Sequence, residues 1–470
     1  MCQSGEVPSP SVSYSITVRL EVPAGGSAVS ELTTVVEKAG GIVTALDVTG
    51  SHTEVLKIDL TVATSDTEHA DQVVAALRAI GDADVKKVSD RTFLMHLGGV
   101  IEVATKHPLR TRDDLSMIYT PGVARVCEAI AAHPEDARRL TIKRNTIAVV
   151  TDGSAVLGLG DIGPLASLPV MEGKAALFKT FADIDAWPLC LDTHDVDSIV
   201  ETVAAISPGF AGINLEDIAA PKCFEIEDRL RARLDIPVFH DDQHGTAIVA
   251  LAALRNALRV VGKDLAGVRI VMSGAGAAGT AILKLVLEAG ATDVVVCDID
   301  GVVHGGRPGI GGQLAWIAEH TNPRALVGSL PDVIGGADVF IGVSAPNVLS
   351  VQDVESMADG SIVFALANPT PEIDPALARA HATVVATGRS DYPNQINNVL
   401  AFPGVFRGLL DAQSHGIGTD VLLAASEAIA ATVSDDELNA NYIIPSVFHP
   451  EVHDRVAEAV RAAAVEAADG

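Results

Sequence analysis

Basic and aromatic side chains are both scarce in this chain. Only 33 Lys and Arg stand against 61 Asp and Glu, a net charge of -28, which repels phosphate backbones and anionic lipid and argues against nucleic-acid and membrane-surface partners. Aromatics make up 4% of the residues, so Val, Ile, Leu and Ala must build the cores. No apolar run approaches the roughly 20 residues that a membrane span needs. The first residues, Met1-Cys2-Gln3-Ser4-Gly5-Glu6, show neither a basic region nor an apolar core, so no secretory signal is read there. Five scattered cysteines (Cys2, Cys127, Cys190, Cys223, Cys297), an odd number without C-x-x-C spacing, speak against a disulfide framework or a zinc knuckle and for a reducing cytoplasm.

What is present is an ordinary globular composition, 48% hydrophobic and 20% charged, over 470 residues, enough for about three domains. Residues 12–22 alternate as a strand, 29–38 carry helical spacing, and Gly40-Gly41 ends that helix. Strand-like runs at 42–48 and 54–63, a helix at 68–80 and a strand at 84–88 complete a βαββαβ order. Residues 1–89 resemble an ACT domain, a ferredoxin-like regulatory module. The resemblance implies a small-molecule effector near Pro23-Ala24-Gly25-Gly26; a module that only assists assembly is the alternative. Gly98-Gly99 and Pro108 mark a lead-in to a second, α/β domain over 90–242, with strands at 146–150 and 187–191. From 243 to 470 strand and helix alternate as in a Rossmann-type doubly wound parallel sheet, and 450–468 form a terminal helix packing back on the body.

A strand at 268–273 runs into Gly274-Ala275-Gly276-Ala277-Ala278-Gly279, a helix follows at 280–288, and a strand at 292–297 ends on Asp298. Glycines there allow a tight turn and close approach of backbone to a pyrophosphate held at the helix N-terminus, while the acid bonds the ribose hydroxyls. Asp298 and Asp300 together favour NAD over NADP, whose 2′-phosphate needs Arg, Lys or small polar partners.

Two acidic clusters, Asn214-Leu215-Glu216-Asp217 and His240-Asp241-Asp242, stand where apolar stretches end. Glu216, Asp217 and one of Asp241 or Asp242 make a hard, all-oxygen donor set suited to Mg²⁺ or Mn²⁺. Each carboxylate pair at about 4 Å repels by roughly 4 kcal/mol at an effective dielectric of about 20, so a cation or a proton must offset the charge. Taken alone, Glu216-Asp217 also reads as a solvated helix start. The spacing of His240 and His244 is that of a zinc-binding helix, but Gly245 is expected to interrupt such a helix, which disfavours zinc.

In order and spacing, Tyr119-Thr120-Pro121-Gly122, Leu157-Gly158-Leu159-Gly160-Asp161, Met171-Glu172-Gly173-Lys174, the two acidic clusters, Ala365-Leu366-Ala367-Asn368-Pro369 and Asn394-Gln395-Ile396-Asn397-Asn398 are similar to the bacterial malic enzymes, over residues 90–430. The resemblance implies oxidative decarboxylation of L-malate to pyruvate and CO2, with a nicotinamide cofactor and a divalent cation, in a homodimer or larger assembly. It makes Tyr119 the general acid, Lys174 the general base, Glu216, Asp217 and Asp242 the metal donors, and Asn368 and Asn398 amides that position substrate and nicotinamide. A lysine acts as base near neutral pH only where burial or neighbouring positive charge lowers its pKa. One departure stands out: where larger malic enzymes carry a substrate-binding arginine, Ser154-Ala155-Val156 offers no cation. A malolactic enzyme, turning malate into lactate, and an amino-acid sensor with a decayed dehydrogenase body are the competing readings. The intact Tyr119, Lys174 and carboxylate set count against the second.

Overall fold

The computed structural model describes residues 10–24, 27–51 and 54–469. The chain divides into two compact units, Met1–Glu102 and Val103–Gly470.

In the first unit β1 (Ser11–Pro23), α1 (Ala28–Lys38), β2 (Ile42–Ser51), β3 (Val55–Thr64), α2 (Thr67–Arg78) and β4 (Asp84–Asp90) follow in the expected order. The strands form one antiparallel sheet, β2-β3-β1-β4, the ferredoxin-like arrangement. Period-2 patterning explains it: Ile16, Val18, Leu20 and Val22 are buried in one core with Leu32, Val36, Val73 and Leu77 of the helices. The intervening Thr17, Arg19 and Glu21 pair across the sheet with Thr61, Asp59 and Lys57. Asp66 caps α2 by accepting from the His69 amide at 2.8 Å. The unit continues past the boundary expected near residue 90, because α3 (Arg91–Met95) follows β4 directly and Thr92 Oγ1 donates to the Ser13 carbonyl at 3.0 Å. Gly25 and Gly26 of the expected effector loop lie outside the described residues.

The second unit begins with α4 (Arg112–Ile118), α5 (Val123–Ala132) and α6 (Ala137–Leu140), and none of residues 103–145 is buried. β5 (Thr146–Thr151), buried at every position, then starts a parallel sheet of order β6-β5-β7-β8, in which α7 (Pro164–Ala182), β6 (Asp185–Cys190), α8 (Val196–Ile206), β7 (Gly212–Leu215), α9 (Lys222–Arg233) and β8 (Val238–His240) alternate. Near-continuous apolar strands are what a sheet covered on both faces requires.

α10 (Asp241–Val261) leaves β8 without a loop and is buried along most of its length, so the boundary expected at residue 242 falls within one helix. A second sheet follows from β9 (Arg269–Ser273), α11 (Ala277–Glu288), β10 (Asp293–Asp298), β11 (Gly301–Val302), α12 (Gln313–His320), α13 (Leu330–Ile334), β12 (Val339–Gly342), α14 (Val351–Glu355), β13 (Ile362–Ala365), α15 (Pro375–Ala378) and β14 (Val384–Thr387). Its order is β11-β10-β9-β12-β13-β14, parallel except for β11. Strand order reverses between β9 and β12, which puts the Gly274 turn at the switch point where such sheets bind ligands.

Last come α16 (Phe402–Ala412), α17 (Thr419–Thr432) and α18 (Val452–Asp469), with α18 packed on α16 and α17 as the terminal helix was expected to be. Among the described residues no helix is long and apolar enough to cross a membrane. The close crossing of α16 and α18 rests on Gly404 and Gly408. A Cβ at Gly408 would lie 2.5 Å from the Ala457 carbonyl and 2.7 Å from Val460 Cβ. Gly408→Val is therefore expected to lower the urea midpoint, at unchanged slope, by an equivalent of about 1–3 kcal/mol. An unchanged midpoint would show that the helices part at no cost.

Candidate active site

β7 and β8 are parallel neighbours with Leu215 paired to His240, so the residues that follow them emerge side by side at the same end of the sheet. Glu216 and Asp217 come from one strand, Asp241 and Asp242 from the other. Oxygens of Glu216, Asp217 and Asp242 all lie within 4.8 Å of one another. Asp217 donates its amide to Asp242 Oδ2 at 2.9 Å, and Asn214 Nδ2 donates to Glu216 Oε2 at 2.8 Å. The solvated helix start is excluded: Glu216 and Asp217 are buried, and α9 begins only at Lys222. Asp217 has φ 53°, a left-handed conformation that costs energy in a non-glycine residue and is held here by its surroundings.

Lys174, on α7, is buried with its Nζ 2.7 Å from Asp241 Oδ2 and 2.9 Å from Glu216 Oε1. The same Asp241 oxygen accepts from Asn398 Nδ2. Asp241 is thus the partner of the lysine, while Asp242 joins Glu216 and Asp217 in the carboxylate cluster. Burial works to lower the Lys174 pKa, but the charges of Asp241 and Glu216 outweigh it and raise the pKa above the usual lysine value. This reverses the downward shift expected of a base, because the lysine's neighbours in the protein are anionic.

Burial raises the carboxylates as well. Asp217 is pushed up to about 8, by burial first and then by Asp242 and Glu216. Burial raises Asp241 to about 6 against the pull of Lys174, and also raises Glu216 and Asp242. Asp217 Oδ2 and Asp241 Oδ1 are buried without a hydrogen-bond partner. An all-oxygen cluster that resists ionisation and leaves an acceptor unsatisfied fits a hard divalent cation held by Glu216, Asp217 and Asp242.

Gly245 does not break the helix, as the sequence led us to expect; α10 runs through it. A Cβ there would lie 2.0 Å from Asp241 Oδ1 and 3.2 Å from Asn398 Cβ, so the glycine makes room for the carboxylate beneath it. His244 Nε2 bonds Glu227 Oε1 at 2.7 Å and Gln243 Nε2 donates to Glu227 Oε2 at 3.0 Å, which turns His244 toward Glu227.

The dinucleotide motif folds as its glycines require. Gly274 has φ 116°, and a Cβ on it would meet the Val343 carbonyl at 2.6 Å; a Cβ on Gly279 would meet the Gly274 carbonyl at 2.0 Å. A Cβ on Gly276 meets nothing within 4 Å, leaving that side open to a ligand. α11 starts at Ala277, so Ala275, Ala277 and Ala278 sit at the turn and first helical residues where a pyrophosphate is held.

Residues 98–231 match the malic enzyme N-terminal domain, and residues 243–465 match the malic enzyme NAD-binding domain. The chain belongs to the malic enzyme family. It is 56% identical over 449 residues to an NAD-dependent malic enzyme of Geobacillus stearothermophilus, covering 96% of this chain and 94% of the relative. It is 55% identical over 370 residues to a bifunctional malic/malolactic enzyme of Bacillus subtilis, covering 78% of this chain and 90% of that one. The solved structure of the NAD-dependent malic enzyme of Thermotoga maritima is 48% identical, with a TM-score of 0.77 over 79% of this chain and 99% of that one.

In this malic enzyme fold the remaining expected residues take different places. Asn368 is exposed, and its carbonyl would lie 2.8 Å from a Cβ on Gly158, so it borders the glycine-rich loop over the carboxylates. That loop is tied down where the Ala155 amide donates to the Asp217 carbonyl at 3.0 Å. Its base holds a cation that the sequence reading missed: Lys222 bonds the fully buried Asp152, which His194 Nδ1 also meets at 3.0 Å. Tyr119 ends α4 at 65% exposure, and no hydrogen bond or ion pair among the described residues joins it to Lys174 or the carboxylates. Asp298 ends β10 as expected, but Arg307 grips it through Nη1 at 2.7 Å and Nη2 at 2.5 Å. Arg307 sits in a glycine-rich stretch after β11, where only its distance in sequence hid it.

Without a cation, a carboxyl raised to about 8 keeps a proton that the unfolded chain releases near pH 4, so native stability falls as pH rises between those values. Thermal melts in EDTA should therefore show Tm falling from about pH 6 to about pH 8. The fall should be smaller in Asp217→Asn, and Mn²⁺ should raise Tm more at the higher pH. An identical pH slope in the variant would contradict the assignment.

Proposed function

We propose that this protein oxidises L-malate with NAD and releases pyruvate and CO2, as a divalent-cation-dependent malic enzyme. The observation that carries this reading is the shared use of Glu216, which is both a member of the metal set and a partner of the buried Lys174. A divalent cation on Glu216, Asp217 and Asp242 supplies Lewis-acid polarisation of the substrate C2 oxygen and offsets the charge of Glu216, and NAD supplies the hydride acceptor. With burial then opposed mainly by Asp241, Lys174 gives up its own proton to solvent, and its neutral Nζ accepts the C2 hydroxyl proton while Asp241, itself bonded by Asn398, holds the amine in line. The carbon left at C3 after CO2 departs takes a proton from Tyr119. Asn368, at the rim beside the Gly158 loop, meets substrate and nicotinamide. Lys222 brings positive charge to the base of that loop, where Ala155 stands in place of the arginine of larger malic enzymes.

Tyr119 can serve as acid only when its segment docks on an active site, and Leu115, Met117 and Ile118 beside it are exposed apolar groups that docking would cover. A homodimer or larger homo-oligomer that buries this segment supplies the docking. The first unit we assign as an ACT-like regulatory module. Cys127, Cys190, Cys223 and Cys297 are all free thiols, which supports a reducing, cytoplasmic location.

The malolactic reading keeps a place because the Bacillus subtilis relative is named for both activities. An assay with L-malate, Mn²⁺ and NAD or NADP in parallel is expected to give pyruvate and NADH in equal amounts, abolished by EDTA. Lactate without net NADH would establish the malolactic alternative instead. Lys174→Ala should lower kcat by roughly 10²–10⁴ with the fold intact by circular dichroism. A near-native rate would remove Lys174 from the mechanism.

A further inference from the structure

The first unit is acidic, yet one part of its sheet gathers positive charge. Residues 1–102 contain seven Lys and Arg against fourteen Asp and Glu. Three of those cations, Arg19, Lys87 and Arg91, line a single hollow of about 420 Å³ between the helix-free sheet face and α3. Thr17, Ser89, Leu94 and Met95 also line it, together with one acid, Asp59.

Across the sheet one row reads Asp47, Asp59, Arg19, Lys87, so acids collect toward β2 and cations toward β4, where Arg91 joins them. Arg19 satisfies Asp59 with two bonds of 2.7 Å, which spends the acid's charge on one cation only. Lys87 stands directly opposite Arg19 in the antiparallel pair, an arrangement of like charges that destabilises a sheet. Among the described residues neither Lys87 nor Arg91 has a carboxylate within ion-pair distance. The next pair along, Thr17 opposite Ser89, adds two hydroxyl residues to the same hollow, with Thr17 Oγ1 3.2 Å from Thr61 Oγ1.

We propose that this hollow binds a small dianionic metabolite of the carboxylate or phosphate class. Lys87 and Arg91 grip its charged groups, Thr17 and Ser89 donate to its oxygens, and Leu94 and Met95 wall a short carbon skeleton. Bound charge relieves the repulsion between Arg19 and Lys87. The site lies wholly within the first unit and gives the proposed regulatory module its ligand, a step that rests on the module's assignment and not on the malate chemistry.

Calorimetric titration of the full-length protein without malate, NAD or metal tests it, with inorganic phosphate and succinate as separate probes. Saturable binding of at least one probe is expected, and which of them binds identifies the class. Lys87→Glu and Arg91→Glu should each weaken binding about ten- to a hundredfold. Lys87→Gln with Arg91→Gln serves as the milder variant should charge reversal unfold the unit. Malate oxidation measured without either probe is expected to persist in these variants, so loss of binding is separable from failure of the catalytic reading. No saturable heat with either probe, or affinity unchanged in the folded variants, would overturn the site.

Discussion

The catalytic unit depends on one buried contact: the Lys174 ammonium between the carboxylates of Asp241 and Glu216. Three charges out of water are costly to assemble, and removing one partner leaves the others unpaired. The rest of the site is arranged around that constraint. Parallel β7 and β8 deliver the carboxylates from adjacent strand ends, and Gly245 leaves space for Asp241 under the first turn of α10. Asn398 fills the remaining approach to the same carboxylate oxygen. Asp217 and Asp242 lie beside the clamp, and burial first, then the neighbouring carboxylates, raises their pKa values. A hard cation offsets their charge, which makes metal binding and the protonation of Lys174 aspects of one electrostatic balance.

α10 carries that balance to the cofactor side. Its first residues hold Asp241 and Asp242, and its body packs on α11, the helix that opens at the Gly274 turn. The lysine–carboxylate cluster and the Gly274 turn are thus joined through two packed helices, the kind of support that a hydride transfer between two ligands requires. At the end of β10 Arg307 fixes the Asp298 carboxylate in two places.

Much of this was legible in the sequence. The βαββαβ order showed in period-2 and helical spacing, and Glu216, Asp217 and the pair Asp241-Asp242 stood out because each follows an apolar strand, with the choice of Asp242 resting on the resemblance. What escaped were contacts made across sequence. Asp241 and Asp242 are adjacent letters, and only the first turn of α10 sends one to Lys174 and the other to the cluster with Glu216 and Asp217. Gly245 reads locally as a helix breaker, but burial against Asp241 decides its conformation. Lys222 and Arg307 carry no motif, and their roles exist only once Asp152 and Asp298 are placed in space. Tyr119 was named by resemblance alone, and among the described residues no hydrogen bond or ion pair joins it to the lysine.

The central claim is that the carboxylate cluster holds protons until a cation replaces them. Calorimetric titration with Mn²⁺ in two buffers of different ionisation enthalpy reads this directly. About one proton should be released per ion bound near pH 7, with less release at higher pH, since ligands raised toward about 8 must ionise to bind. Tight Mn²⁺ binding with the same heat in both buffers would mean that the cluster is already ionised, and would contradict the account.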